Sequence, residues 1–564
     1  MNRMNMKNKI IIALTVIFST ALFNSCSDFL NIKSNDIITG DALSADNLDQ
    51  MTAPLYNLYW YEFNWRFNVA AGDAMSFNLE HNADYYGDFT YFTFSSSTSS
   101  LKSAWAALYA VVQGANKVII SVNSTNADES VKTQCVAEAR YMRGLAYWYL
   151  ATMWYDAIIT DNPTPLVNNP IVNTNPKKDV YEFAIRDMEY AAKYLPETSS
   201  AIGRVNRYSA FGMLSRFYLA YSGYVASNFG QDPNVGTRDP GYLDLAKKAA
   251  EKVMNSGLYK LMDNYDDLFK IANNNNTESL FAFQWVPGLN GNSNPGLTNG
   301  SASNLAGIGV ASAGEAWGGW SCATYDMMKE YEPDDVIRRH ATWMGAGDYY
   351  PELNTVEGGL TIGNGDGEYN TGHNPYNSCL NIKKGVTGNQ KDNPAINTRN
   401  SGLDNSMLRY AEVLLNYADA VLGNNASTND ATALKCFNDV RDRAKMSEKN
   451  AISYEDLRHE RRVEFCMEGL YWYDLAARAY YKQQEVINYL TAQNRGVEPA
   501  FLFDAPMNLR LDPSRNDGTH AIGKIEASSF RLPYPDTEII QNPNLLKAPV
   551  PYTFTEERIT DLFN

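Results

Sequence analysis

The chain has 564 residues, of which 45% are hydrophobic, and a formal net charge of −16 at pH 7. This length is ample for a large buried core, whereas an acidic chain is poorly suited to nucleic acids and other polyanions. Six cysteines without a single CxxC spacing give no zinc or redox motif, and we predict neither metal nor cofactor.

The first 25 residues are typical of a secretion signal. Three basic residues and no acid occur in the first nine positions, and residues 10–23 are then uninterruptedly apolar or small. This stretch is shorter than the roughly 20 residues that a membrane-spanning helix needs. Ser25-Cys26 resembles a bacterial lipoprotein cleavage site, so we expect lipidation of Cys26 and a chain that is anchored to a membrane. The alternative is an ordinary signal cut elsewhere, with Cys26 a free thiol.

The first half of the mature chain carries a helical pattern of apolar residues. Between Asp128 and Met153, for example, Val131, Cys135 and Ala139 recur at helical spacing. Proline or glycine closes some of these patterns, as expected for helix ends. The predicted helices are Asp46–Tyr59, Leu101–Val122, Asp128–Met153, Val180–Leu195, Arg207–Tyr221 and Leu243–Ser256.

The middle of the chain, about residues 273–404, is rich in Gly, Asn, Ser and Thr. A strand is predicted at Ser279–Val286 and a short helix at Thr324–Tyr331. Loops of this length are usually functional or disordered, and the many Trp and Tyr residues here argue against disorder. We therefore predict a loop-rich ligand-binding region.

Helical patterns resume after residue 405. Met407–Leu422 and Ala433–Met446 predict a helical hairpin of tetratricopeptide type, and Ser453 with Asp456 forms a capping box before a helix running towards Leu475. The predicted fold is mainly α: a tetratricopeptide-like array of helical pairs with a less regular, loop-rich half. The helical scaffold covers about residues 40–272 and 405–480, and an irregular tail covers about 499–564.

Six segments, in order along the chain, resemble conserved motifs of the SusD/RagB family. MLRYAEVLLNYADAV is similar to the family helix R-x-A-E-x-x-L-x-x-A-E-A, and LRHERRVEFCMEGLYWYDLAAR to ERRxEFxxEGxRxxDLxR. Tyr471 departs from the arginine common in the latter motif. The matching segments are 137–155, 203–219, 407–421, 437–444, 457–478 and 532–545.

The resemblance implies a function and a location. SusD-like proteins are outer-membrane lipoproteins that face the outside, bind oligosaccharides or other nutrients, and close over a SusC-like TonB-dependent transporter. They are not enzymes. We therefore expect a signal peptide at 1–25, one SusD-like domain at 26–564, and an oligosaccharide or polysaccharide as ligand. A peptide binder of the same uptake type and a surface glycoside hydrolase are the alternatives, although the five histidines form no HExxH motif and no GxSxG elbow occurs.

Aromatic residues in loops are the candidate ligand contacts. A sugar ring has an apolar C–H face that an aromatic ring can cover, and Tyr and Trp provide such area at low entropic cost. The strongest local candidate is Trp317 with Trp320, three residues apart and separated by glycines that allow close approach. The alternative is that these rings pack into the helical body. The remaining candidates are tyrosines in two other loops: Tyr85, Tyr86, Tyr91, Tyr349 and Tyr350.

A run of charged residues near position 460 is predicted to stabilise the fold and not to bind a ligand. We expect Arg458, Arg461 and Arg462, together with Glu460 and Glu464, to belong to structural ion pairs between helices and not to a phosphate site.

Overall fold

The computed structural model describes residues 48–81, 86–286, 321–345, 347–362, 382–388, 391–392, 401–493, 501–505, 508–511 and 523–563. Within these residues, nine helices exceed ten residues. They are α1 Ser99–Asn123, α2 Glu129–Met153, α3 Lys177–Tyr194, α4 Arg207–Ala226, α5 Pro240–Met254, α6 Tyr410–Leu422, α7 Ala431–Arg443, α8 Tyr454–Glu464 and α9 Tyr471–Ala492.

The long helices pack in chain order. Each of α1 to α6 contacts the next helix, α8 packs on α6, and α9 returns to pack on α4. Glycines allow some of the closest approaches: a Cβ added to Gly144 of α2 would lie 2.9 Å from the carbonyl oxygen of Ala184 in α3. The predicted mainly α fold is confirmed, because stacked helical pairs make up most of the described chain.

Side-chain caps fix several helix starts. Asn206 and Ser209 form a capping box at α4, Asp239 caps α5, and the predicted capping box of Ser453 and Asp456 begins α8. These caps satisfy backbone N–H groups that have no partner within the helix.

Two predicted helices are interrupted. The predicted helix Asp46–Tyr59 is wrong as one element, because α-helix covers only Leu48–Thr52 and 3-10 turns follow at Ala53–Tyr56 and Leu58–Trp60. Pro54 accounts for the change, since its ring cannot continue an α-helix. The predicted helix from Ser453 towards Leu475 is likewise broken between α8 and α9, where Met467 and Gly469 adopt positive φ angles of 66° and 75°.

The strands are short and pair in twos, all antiparallel. The longest pair between distant segments joins Ser279–Phe283 to Asn405–Arg409, with Phe283 opposite Asn405. The other pairs are Leu79–His81 with Ser321–Ala323, Tyr349–Tyr350 with Leu360–Thr361, Ser427–Thr428 with Ile452–Ser453, and Phe501–Ala505 with Asn508–Leu511. The short α-helices are Tyr61–Phe63, Gly87–Thr90, Thr164–Asn168, Tyr325–Glu330, Val336–Thr342 and Asp536–Gln541.

One continuous core runs through the helical array, and a small second core forms beneath Tyr349–Tyr350. Helix α1 is long and apolar enough to cross a membrane by length and composition alone, but more than half of its apolar stretch is buried against the rest of the protein. It is therefore a core helix of the array.

Candidate functional site

Two consecutive π-helical turns carry the first element of the candidate site. Asn64–Asn68 and Ala70–Ala74 are π-helices, a rare conformation that occurs frequently at functional sites. The first turn presents Trp65 beside Tyr61, with ring centroids 5.5 Å apart. The guanidinium of Arg66 lies 4.4 Å from the Trp65 ring centroid, and its Nε is 2.8 Å from Glu62.

Trp285 completes this aromatic group from a distant part of the sequence. It follows the strand Ser279–Phe283, and its ring meets that of Tyr61 edge to face at 6.3 Å. We call Tyr61, Trp65 and Trp285 the aromatic cluster. Tyr61 and Trp65 are partly exposed, whereas Trp285 is buried.

Amide and carboxyl groups hold the aromatic cluster in place. The indole N–H of Trp285 donates to Asn405 Oδ1 at 2.8 Å, and Asn64 Nδ2 donates to the same oxygen at 2.8 Å. The backbone N–H of Trp285 donates to Asp404 Oδ1 at 2.9 Å. Burial raises the pKa of Asp404 to about 7, although hydrogen bonds from Trp285 and Asn275 partly oppose the shift.

A buried carboxylate fixes the π-helix to the loop between α8 and α9. Asp73 accepts hydrogen bonds from the backbone N–H groups of Met467 and Gly469 at 2.8 and 2.7 Å. The backbones meet so closely that a Cβ on Gly72 would lie 2.1 Å from the carbonyl carbon of Gly469. Burial raises the pKa of Asp73 to about 6, with opposing hydrogen bonds from Asn78 and the loop.

The charged residues near position 460 form ion pairs that are buried or half-buried. Arg462 and Arg458 lie 3.0 and 3.4 Å from Glu330, and Arg461 lies 2.7 Å from Asp474. The prediction that these arginines form structural ion pairs is therefore confirmed. The two glutamates are buried and pair with arginines of other elements: Glu460 with Arg338 and Arg441, and Glu464 with Arg338, Arg409 and Arg443.

The predicted site residues fall into three groups. Trp317, Trp320, Tyr85 and the lipidation site Cys26 lie outside the described residues, as do residues 1–25.

Two predicted tyrosines are buried. Tyr86 is 2% exposed and its hydroxyl donates to the backbone oxygen of Trp65 at 2.9 Å, so it supports the π-helix. Tyr350 is 0% exposed, stacks on His340 and donates to the His340 carbonyl at 3.0 Å. Neither ring offers a face to a ligand in this structure.

The other two predicted tyrosines reach the surface. Tyr349 is 50% exposed, and its hydroxyl donates to the Gly358 carbonyl at 2.8 Å. Tyr91 is partly exposed directly after the helix Gly87–Thr90, and its carbonyl accepts from the N–H of Gly523 at 2.7 Å. Ligand contact by these two tyrosines remains a prediction.

Sequence reasoning missed the aromatic cluster. The one local signal is that Trp65 comes four residues after Tyr61, and Tyr61 comes just after the predicted helix Asp46–Tyr59. Trp285 was assigned to a strand without a ligand role. Nothing in the sequence placed residues 61–65 beside residue 285.

Two family models match the chain. The model described as the SusD family matches residues 227–550, and the one described as starch-binding associating with outer membrane matches residues 28–219. This chain belongs to the SusD family. A SusD-like protein from Bacteroides ovatus is 37% identical over 98% of this chain and 100% of its own length.

Solved structures share the fold of this SusD-family protein. A crystal structure with a xylogluco-oligosaccharide is 37% identical, covers 90% of this chain and 100% of its own, and has a TM-score of 0.79. A surface glycan-binding protein A from Bacteroides fluxus has a TM-score of 0.65 over 88% of this chain and 97% of its own, at 18% identity. That second likeness concerns the fold alone.

Proposed function

We propose that this protein captures oligosaccharide at the cell surface and delivers it to a SusC-like TonB-dependent transporter. The observation that carries the binding role is the relative with a xylogluco-oligosaccharide, which matches this chain at 37% identity over 90% of its length. A xylogluco-oligosaccharide or a related neutral glycan is therefore the ligand class. The acidic charge of −16 is consistent with a neutral ligand.

The aromatic cluster is the described part of the proposed platform. A pyranose ring would stack its C–H face on the face of Trp65 opposite the Arg66 guanidinium, while Arg66 and Glu62 provide donors and acceptors for hydroxyl groups. The buried Trp285 fixes the position of Tyr61 beside it. Aromatic side chains have few rotatable bonds, so little conformational entropy is lost when a ligand binds.

Loop aromatics complete the proposed platform. Trp317 and Trp320 belong to the segment that follows Trp285 in the chain, and Tyr85 precedes the helix Gly87–Thr90. We propose that they extend the stacking surface from Trp65, and that Tyr91 and Tyr349 make peripheral contacts.

The remaining parts of the proposal concern location and partner. Lipidation of Cys26 would anchor the chain to the outer membrane with its body on the extracellular face. The transporter would receive the bound glycan when this protein closes over its barrel. The protein would act by binding and release, without cleaving the glycan.

Affinity electrophoresis with the soluble chain, residues 27–564, tests the binding role. Xyloglucan in the gel should retard the wild type and should retard Trp65→Ala much less, while chromatography of the incubated glycan should show no shorter product. Wild-type mobility that is unchanged on xyloglucan and on a panel of other neutral polysaccharides would refute glycan binding, and a shorter product would indicate a hydrolase. Co-purification of the lipidated protein with an outer-membrane transporter, lost in Cys26→Ala, tests anchoring and partnership.

A further inference from the structure

A groove of about 540 Å³ lies beside the strand Ser279–Phe283, and its lining does not include the residues of the aromatic cluster. Its walls are the loop Thr198–Asn206 between α3 and α4, the residues Leu258–Tyr259 after α5, and the turn Asn275–Thr277 that leads into the strand. The volume is within the range of small-ligand sites, which is about 300–1,000 Å³.

The lining combines polar and apolar groups and carries no available charge. Among the described residues that form the groove, Arg204 is the single charged side chain. Its guanidinium is 2.7 Å from Glu138 and donates to the backbone oxygen of Asp49 at 2.8 Å, so its charge is compensated. Besides Arg204, hydroxyl and amide side chains make up the polar lining: Thr198, Ser199, Asn206, Tyr259, Asn275, Asn276, Thr277 and Ser279.

The rim of the groove is apolar and exposed. Ile202 is 89% exposed and Leu258 is 44% exposed, and Tyr259 also lines the groove. Apolar surface next to hydroxyls and amides matches the chemistry of a sugar, which has an apolar C–H face and a rim of hydroxyl groups. A charged ligand would find no free counter-charge here.

Hydrogen bonds connect the groove to the aromatic cluster. Asn275 in the groove wall donates to Gln284 Oε1 at 2.8 Å and to Asp404 Oδ2 at 3.1 Å, and Asp404 accepts from the backbone of Trp285. The turn at Gly203 packs directly on Gln284, because an added Cβ would lie 2.2 Å from its Oε1.

The two sites are also close along the chain. Trp285 lies three positions after Ala282, which lines the groove. Extended chain rises about 3.3 Å per residue, so about 10 Å of backbone joins the sites. One oligosaccharide of several rings can span that distance.

We propose that this groove is a second subsite for a neutral glycan, so that one long glycan chain contacts both the groove and the aromatic cluster. The inference rests on the proposed glycan-binding function. Two linked subsites bind a polymer more tightly than either subsite alone, because the second contact is intramolecular. A ligand too short to reach the groove gains nothing from it.

Isothermal titration calorimetry with two ligands tests the groove. The ligands are xyloglucan polysaccharide and a xylogluco-oligosaccharide of a single repeat. Thr277→Arg fills the groove from an exposed position, and the double variant Ile202→Ser/Leu258→Ser removes the apolar rim. Val167→Ser, which replaces a 79% exposed aliphatic residue on the distant helix Thr164–Asn168, is the matched control.

We expect each groove variant to weaken polysaccharide binding by about fivefold or more and to leave the single-repeat affinity within about twofold of the wild type. Trp65→Ala should weaken both ligands, and the Val167 control neither. Groove variants that bind both ligands like the wild type would overturn the second subsite. Groove variants that lose the same affinity for both ligands, with an unchanged denaturation midpoint, would also overturn the second subsite. The short ligand would then occupy the groove itself. A wild type that binds neither ligand would instead refute the proposed function and the subsite with it, independently of any variant.

Discussion

Replacement of Glu464 by Gln tests how strongly the buried ion network stabilises the fold. The Glu464 carboxylate is fully buried and pairs with Arg338, Arg409 and Arg443. Burial alone would raise its pKa, but these guanidiniums outweigh burial and lower the pKa from 4.5 to about 2. A shift of one pKa unit corresponds to about 1.4 kcal/mol, so ionised Glu464 contributes about 3 kcal/mol of stability.

Removing one charge of a buried pair typically costs about 3–5 kcal/mol, which agrees with this value. The folded pKa of Glu464 is depressed, so its contribution is fully present above about pH 4.5 and is lost as the pH falls through about 2. We therefore expect Glu464→Gln to lower the free energy of unfolding by about 3 kcal/mol at pH 7 and by progressively less below about pH 4.5.

Urea denaturation followed by tryptophan fluorescence measures this difference at each pH. Glu455→Gln is the matched control, because Glu455 lies on the same helix but its side chain is 69% exposed and its pair with Arg458 faces water. The control should stay within about 0.5 kcal/mol of the wild type. A Glu464 variant as stable as the control at pH 7, or one equally destabilised at every pH, would refute the electrostatic explanation.

Three further predictions concern the candidate site. Trp65→Ala should weaken xyloglucan binding by about 30-fold, which is equivalent to about 2 kcal/mol for a tryptophan that the bound ligand covers. A loss of affinity under about threefold, measured by calorimetry, would count against the platform. The folded pKa of Asp404 is raised to about 7, so its contribution to stability is greatest below about pH 4 and is lost as the pH rises through about 7. Asp404→Asn should therefore gain stability relative to the wild type as the pH rises from about 4 to about 7 in urea titrations, and a constant difference would contradict the raised pKa. Gly72→Ala should destabilise the protein by about 2 kcal/mol or more, because the new Cβ displaces the backbone of Gly469. This cost outweighs the gain of about 1 kcal/mol in helix propensity. An unchanged unfolding midpoint would show that the contact with Gly469 can relax.

The scaffold was predictable because its signals are local. Apolar periodicity placed α2 at Asp128–Met153, and the structure has it at Glu129–Met153. The capping box at Ser453 was read from four consecutive residues. The break between α8 and α9 was not predicted, because it depends on the distant Asp73, which binds two N–H groups of the loop.

The candidate site was less predictable because its parts are far apart in sequence. Trp65 and Trp285 are brought together only through Tyr61, Asn64 and the pairing of two strands more than 100 residues apart. A π-helix also has no apolar periodicity that a sequence pattern reveals. Composition pointed to loop aromatics in general, and the contributions of Trp317 and Trp320 remain predictions.

The strand Asn405–Arg409 joins the ion network to the aromatic cluster, which leads to a last prediction. Asn405 at one end accepts hydrogen bonds from Trp285 and Asn64, and Arg409 at the other end pairs with Glu464 and, at 2.7 Å, with Glu468. Loss of the Glu464 charge leaves Arg409 paired with Glu468 and leaves the strand pairing intact.

Glu464→Gln should therefore change xyloglucan affinity by less than about twofold, although it costs about 3 kcal/mol of stability. Asn405→Ala should behave differently, because it removes the acceptor that orients the indole of Trp285. Each hydrogen bond lost is worth about 1 kcal/mol, so we expect a stability cost of about 2 kcal/mol together with a roughly tenfold loss of affinity. Calorimetry and urea titration on both variants separate the two effects. If Glu464→Gln weakens glycan binding as much as Asn405→Ala does, the aromatic cluster is not held locally by Asn405, and its geometry depends on the whole buried network.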